Sequence, residues 1–363
     1  MRRLGKVLLG MVAVLVVVVL AVLAVRTVNH VRYPEPALEY PDPMDAAAYP
    51  TELPGVAVAP IADGPVRGFH LRPDDIRHEG VVLVWGGSEG GPDFAHAELL
   101  ARSGHEVLSL FYFGQPEQPD TLNRVPVETA SLAIDWAEAH AANAANAVTA
   151  DDAAADSAAD TADTAGAVSV GPITLVGTSK GAELAALLPA FESRVDNVVL
   201  FAPVDHVTQG LDQLDVASSW THDGREVPYV AFAEAPEYGP ALGLMSAMIF
   251  NYPMHLRPAY EAALAGPGAA DARIDLTRVP GEVLIFAGGD DQLWPADTAA
   301  RRFAEDRPER TEVHVYPDAG HVFDIPADYA EGMRMGGSAE ANAAAREASD
   351  AVLVDRLARW HQR

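Results

Sequence analysis

Apolar positions follow three different patterns along this chain. Residues 7–25 are apolar without a break, 19 in a row, enough for one helix to cross a hydrocarbon core. From residue 81 onward the apolar residues come as short runs at 81–85, 107–113, 173–176, 197–202, 282–287 and 312–316. Runs of that length, ended by glycine or turn residues, read as strands buried on both faces of a parallel sheet. Two more strand-like segments lie near 55–60 and 65–72. Helical spacing returns at about 93–103, where Gly104 stops it, at about 127–142, after Ser179 and at about 338–360. The alternation predicts an α/β fold, a mostly parallel sheet with helices on both faces. The longer stretch 203–280 interrupts the alternation and reads as a lid.

The third pattern is the lack of packable residues. Residues 33–54 contain Pro34, Pro36, Pro41, Pro43, Pro50 and Pro54 and read as an extended stalk. Residues 141–170 are nearly all Ala, Asp, Thr, Asn and Ser. They read as a disordered surface insertion with at most transient helix. The expected organisation is a membrane anchor at 1–32, a stalk at 33–54 and a catalytic domain at 55–363.

Charge sharpens the N-terminal reading. Residues 1–32 carry Arg2, Arg3, Lys6, Arg26 and Arg32 and no acid. The rest of the chain has 20 basic against 52 acidic residues, a net charge of −32. Such a body repels nucleic acid and anionic lipid, so no nucleic-acid partner is expected. Arg2, Arg3 and Lys6 ahead of the apolar run favour a cytoplasmic N-terminus and an extracytoplasmic body, in a single-pass arrangement. A cleaved signal peptide is the alternative, with Val22-Leu23-Ala24 as its cleavage region. The chain has no cysteine, which excludes disulfides, a thiolate nucleophile and cysteine zinc sites.

The chemistry begins at Gly177-Thr178-Ser179-Lys180-Gly181. A strand-like run precedes it and a helix-forming run follows. The glycines permit a sharp turn that exposes the Ser179 hydroxyl at a helix N-terminus, where backbone N–H groups can meet an oxyanion. A serine needs a base, and the base needs an orienting acid. Asp291, in Gly288-Gly289-Asp290-Asp291-Gln292-Leu293-Trp294-Pro295, follows a strand and is the candidate acid. Asp290 is its rival, and Asp205 ranks lower. His321, after Gly320 in a loop beyond another strand, is the candidate base. The order nucleophile, acid, base is that of α/β-hydrolases. The oxyanion donors are expected at the Lys180 N–H and at Gly87 or Ser88 of Gly86-Gly87-Ser88-Glu89-Gly90-Gly91. Lys180 is the only lysine beyond residue 6. It is either an attractor of anionic substrate at the site entrance or a helix-start residue chosen for shape. No metal-ligand spacing and no cofactor motif is found. Met248 and Phe250, in the apolar stretch 238–254, either line an acyl pocket or form the lid's own core.

These residues resemble the C-terminal α/β-hydrolase domain of the acyl-CoA thioester hydrolase and bile-acid-CoA:amino-acid N-acyltransferase family. The resemblance spans about 65–360. It rests on Gly86 to Gly91, on 97–104, on 175–184, on Ser218-Ser219-Trp220-Thr221 with Val227-Pro228-Tyr229, on 290–295, on Ala319-Gly320-His321 and on Met335-Gly336-Gly337 with 341–345. It implies Ser179, Asp291 and His321 as a catalytic triad. The family's N-terminal β-sandwich has no counterpart in residues 33–64. The expected function is a membrane-anchored extracytoplasmic serine hydrolase or acyltransferase acting on a small-molecule ester or thioester. An acyl-CoA thioesterase with a cytoplasmic body is one alternative. A non-catalytic envelope protein that kept the fold is another.

Overall fold

The computed structural model describes residues 2–37, 42–153, 171–212, 214–236 and 238–362. Helix α1 (Arg2–Arg32) carries the apolar run, with its side chains exposed along the span. It is long and apolar enough to cross a membrane.

The body is built on strands β1 (Glu52–Leu53), β2 (Val56–Asp63), β3 (Val66–Pro73), β4 (Val81–Trp85), β5 (Glu106–Phe111), β6 (Val125–Pro126), β7 (Ile173–Thr178), β8 (Asn197–Phe201), β9 (Trp220–His222), β10 (Arg225–Glu226), β11 (Val283–Gly288), β12 (Thr311–Tyr316), β13 (Tyr329–Ala330) and β14 (Met333–Arg334). Nine of them form one sheet in the order β1-β2-β3-β5-β4-β7-β8-β11-β12. The pairs from β5 to β12 are parallel, and β1, β2 and β3 add an antiparallel edge. This is the α/β-hydrolase order, and the expected fold class is what the chain adopts.

The remaining helices are α2 (Phe94–Arg102), α3 (Glu128–Ala153), α4 (Lys180–Leu187), α5 (Gly239–Phe250), α6 (Arg257–Leu264), α7 (Ala296–Asp306) and α8 (Ala339–Trp360). Alternation along β4 divides the core. Val81, Leu83 and Trp85 pack with residues of α3, α4 and α7, whereas Val82 and Val84 pack with residues of α2 and α8. A one-residue slip in this strand would exchange the two sets, so register is fixed by both faces at once.

Two expectations need correction. The 33–54 segment is no free stalk over its described residues. Tyr49 is buried against Phe69, Phe94 and Phe111, and β1 joins the sheet. An aromatic ring buried among three others gains far more than proline's stiffness costs. Next, the helix expected to end near residue 142 continues to Ala153, as alanine's high helix propensity allows. The rest of the expected insertion, 154–170, lies outside the described residues. The 203–280 stretch expected as a lid is joined to the body at its base. Strand β9 pairs with β6 and β10 in a small sheet, and Trp220 is fully buried with its indole N–H on the Glu183 carboxylate at 2.7 Å.

Candidate active site

Ser179 sits between β7 and α4 with φ 56° and ψ −115°, a conformation rare for a residue with a side chain. The flanking glycines make it attainable. A Cβ on Gly177 would stand 2.1 Å from the Gly181 carbonyl oxygen, and one on Gly181 would stand 2.2 Å from that of Gly86. The Ser179 N–H is held by the Phe201 carbonyl at 2.8 Å, which fixes the turn to β8. The hydroxyl therefore projects beyond the carboxyl ends of the strands, where open α/β sheets place their sites.

The loops after β11 and β12 meet it. His321 Nε2 lies 2.8 Å from Ser179 Oγ, and His321 Nδ1 lies 2.8 Å from Asp291 Oδ2. Asp291 Oδ1 accepts the N–H groups of Leu293 at 2.8 Å and Trp294 at 3.1 Å. All three side chains are buried. The Trp294 ring stands edge-on to His321, so the imidazole is held by packing as well as by its carboxylate. This arrangement can pass a proton from hydroxyl to imidazole while a carboxylate balances the charge that develops.

The rival acids are placed elsewhere. Asp290 Oδ2 accepts the Gly337 N–H at 2.9 Å and Oδ1 accepts the Gln292 amide at 2.6 Å, the contacts of a turn residue. Asp205 is buried in an ion cluster with His206, Arg273 and Arg302.

On the other side of Ser179 the glycine loop after β4 closes in. Gly87 and Ser88 both border the cavity, and a Cβ on Gly87 would lie 3.3 Å from Ser179 Cβ. The Gly87 N–H, however, donates to Glu89 Oε1 at 2.7 Å. The expected oxyanion donor is thus engaged by a carboxyl group of its own loop, a contact that strand-and-turn patterning does not foresee. Burial pushes the Glu89 carboxyl up to about 7, helped by Asp93 and Glu331 and opposed by the N–H groups of Glu89 and Gly87. The Gly87 carbonyl accepts the buried Tyr112 hydroxyl, which fixes the loop from behind.

The Lys180 side chain is not at an entrance. It is buried, with Nζ 2.6 Å from Thr208 Oγ1, 2.6 Å from Ser219 Oγ and 3.0 Å from Glu183 Oε2. Burial lowers its pKa, against the pull of Glu183. It pins the first turn of α4 to the 203–280 stretch, which leaves only its backbone N–H for the oxyanion role. The long stem reaches partners far away in sequence, so no local signal predicts it.

The cavity over Ser179 measures about 230 Å³. Its apolar wall is made by Phe94, Phe201, Phe323, Ile325, Met333 and Met335. Met248 and Phe250 are not among its lining residues. Met248 is mostly exposed on α5. An unbroken apolar helix carries no period to say which face packs, so its sequence could not place it. The sequence signal for this wall lies directly after His321, where Val322, Phe323 and Ile325 are apolar around Asp324.

The cavity's polar end holds Asp93, His96, Asp324 and Arg346. Thr178, the residue before the serine, donates to Asp93 Oδ2 at 2.7 Å, and His96 Nδ1 lies 2.8 Å from the same oxygen. Burial opposes ionisation of both groups, yet their pairing holds Asp93 low and His96 high. Among the described residues, Glu128, His222 and Asp223 alone gather ligating atoms. They lie outside the cavity lining.

The model of the BAAT / acyl-CoA thioester hydrolase C-terminal family matches residues 157–349. The human protein named acyl-coenzyme A thioesterase 6 is 25% identical over 279 residues, covering 75% of this chain and 56% of that protein. The mitochondrial acyl-coenzyme A thioesterase 2 of the rat is 22% identical over 277 residues, covering 75% of this chain and 51% of its own length. The chain spans about half the length of the curated relatives it matches. Among solved structures, carboxyl esterase 2 of Tuber melanosporum aligns with a TM-score of 0.47 at 16% identity, over 85% of this chain and 87% of its own. An esterase of Pyrococcus furiosus aligns with a TM-score of 0.45 at 12% identity, over 84% and 91%. With more than half of its length matched by the family model, this chain belongs to the BAAT / acyl-CoA thioester hydrolase C-terminal family.

Proposed function

We propose that the protein is a membrane-anchored serine hydrolase or acyltransferase whose catalytic body lies outside the cytoplasm. The observation that carries this reading is the continuous relay from Ser179 Oγ through His321 to Asp291, with 2.8 Å at each link. His321 takes the Ser179 proton as Oγ attacks the acyl carbon. The Lys180 N–H faces the developing oxyanion. The leaving group departs with the proton that His321 returns. Water or an acceptor then resolves the acyl-enzyme by the reverse sequence. Asp291 orients the imidazole and balances its charge throughout.

A thioester is favoured by the relatives' names. Polyanionic CoA is disfavoured by the net charge of −32 beyond residue 32 and by the acids around the cavity. An acyl-CoA thioesterase with a cytoplasmic body is therefore the second reading, and topology mapping separates the two. Arg2, Arg3 and Lys6, ahead of the apolar run of α1, support the extracytoplasmic orientation. A fluorophosphonate probe tests the mechanism. Labelling of the wild type that disappears in Ser179→Ala supports it, and equal labelling of both overturns it.

A further inference from the structure

The twelve residues of α5 include no charged side chain. Tyr238, Leu242, Met245 and Ile249 recur at helical spacing, so they fall on one stripe. They are 81%, 60%, 51% and 44% exposed. An apolar stripe of this kind in water marks a surface that something covers.

The contacts of α5 say what. Helix α1 packs against it. Arg26 Nη1 donates to the carbonyls of Met248 at 2.8 Å and Ile249 at 3.0 Å, and the Asn29 amide donates to that of Phe250 at 2.8 Å. These are terminal carbonyls of α5, which no residue of its own helix can satisfy. Arg26 is also the first charged residue after the apolar run of α1. The end of α5 is thus fastened at the level where α1 leaves the hydrocarbon.

The cavity is fastened to the same place. Tyr33 stands edge-on to Tyr329 at 5.4 Å, and the Tyr329 hydroxyl donates to the Pro34 carbonyl at 2.9 Å. The Glu35 carboxylate accepts the N–H groups of Glu331 at 2.7 Å and Gly332 at 3.2 Å. From the α5 side, the Met254 N–H donates to the Gly332 carbonyl at 2.8 Å. The hairpin of β13 and β14 so gripped supplies Ala330, Glu331 and Met333 to the cavity wall.

We propose that α5 lies in the surface of the bilayer crossed by α1, and that the cavity draws its acyl donor, a lipid ester, from that bilayer. Tyr33 directly follows the end of α1, where an interfacial tyrosine belongs. The apolar cavity wall accepts an acyl chain. The strongly acidic body excludes an anionic headgroup, so the lipid is neutral or zwitterionic. The substrate half of this inference rests on the serine-hydrolase reading, whereas the docking half does not.

The test uses the full chain in phosphatidylcholine nanodiscs. Because the chain lacks cysteine, Leu242→Cys and Met245→Cys can each carry one environment-sensitive fluorophore. Glu309→Cys, exposed just before the amino end of β12 and so away from the carboxyl ends of the strands that carry the site, is the control. Doxyl-labelled lipid is expected to quench the two α5 positions at least about twofold more than the control. No preferential quenching at either position overturns the docking. So does a blue shift without lipid quenching, as a second copy covering α5 would give. In parallel, Leu242→Glu with Met245→Glu is expected to lower hydrolysis of a long-chain ester carried in the nanodisc about tenfold or more. Hydrolysis of soluble p-nitrophenyl butyrate should hold. Equal loss on both esters, or on neither, overturns the bilayer as the source of substrate. If the wild type hydrolyses neither ester, the chemistry fails while the quenching still decides the docking.

Discussion

Two enclosed carboxyl groups flank Ser179, and they are supplied in opposite ways. Asp291 has a donor for each oxygen, with His321 on one and two backbone N–H groups on the other. Glu89 has N–H groups of its own glycine loop and otherwise faces the cavity, with Asp93 and Glu331 near, and burial carries it to about 7. Asp291 is fully enclosed whereas Glu89 lines the cavity, and the donors and charges around the two differ as well. The proposed reaction would use that asymmetry, since it develops positive charge on the histidine side and negative charge on the opposite side. In that reading, the titration of Glu89 couples proton concentration to the loop that carries the proposed oxyanion donor Gly87.

The strongest way to break this comparison is to remove the group between the two carboxyls. Ser179→Ala is expected to cost about 10⁴-fold or more in kcat on a p-nitrophenyl ester, with the fold kept. Most of the activity surviving in a folded variant would refute the relay. Asp291→Asn should cost about 10³- to 10⁴-fold, because an amide cannot balance the imidazolium. Asp290→Asn should stay within about threefold, its contacts being those of a turn. Side-by-side kinetics of the two variants test this, and the reverse ranking reassigns the acid.

Two smaller effects sharpen the contrast. Lys180→Met leaves the Glu183 carboxylate buried without its cation, a loss of about 3–5 kcal/mol of stability. Denaturant titration measures it, and adding Glu183→Gln should recover part of it. Glu89→Gln should change pH dependence rather than the peak rate. The folded-state value of about 7 lies above the ordinary 4.5. The fold therefore favours the protonated form, and this stability is present below about pH 4.5 and is lost as pH rises through about 7. Between about pH 5 and about pH 8 the wild type's Tm should fall more than the variant's. Its kcat/KM should also drop a few-fold more on the alkaline side. Parallel profiles of the two proteins would remove Glu89 from the account.

The relay was legible because each member follows a short apolar run and a glycine, and strand order then brings the loops to one edge. The sheet was legible for the same reason. Lys180, Glu89 and the α5 residues were not. Lys180 and Glu89 sit in the recognised motifs, but their partners are set by three-dimensional proximity: Thr208 and Ser219 from a distant stretch, and the backbone of a curled loop. Met248 and Phe250 failed differently, because a helix apolar on every side has no preferred face until α1 is beside it. The proline count of 33–54 was read as reach, whereas one residue, Tyr49, was enough to pull the segment into the core.

The bonds from Tyr33, Pro34 and Glu35 to the 329–332 turn have a mechanical consequence. A catalytic body on a slack leash would tumble above its anchor and sample the bulk solution in every direction. Here the anchor grips the body within three residues of the end of α1, and the chain from Asp42 to Tyr49 grips it again. Tilt and rotation of the body about its span are therefore fixed together, as in a key soldered to its ring. Under the bilayer-docking proposal, the mouth of the cavity would face a two-dimensional pool of lipid. The concentration that sets its rate would then be the mole fraction of substrate in the lipid sheet, unchanged by dilution of the surrounding water.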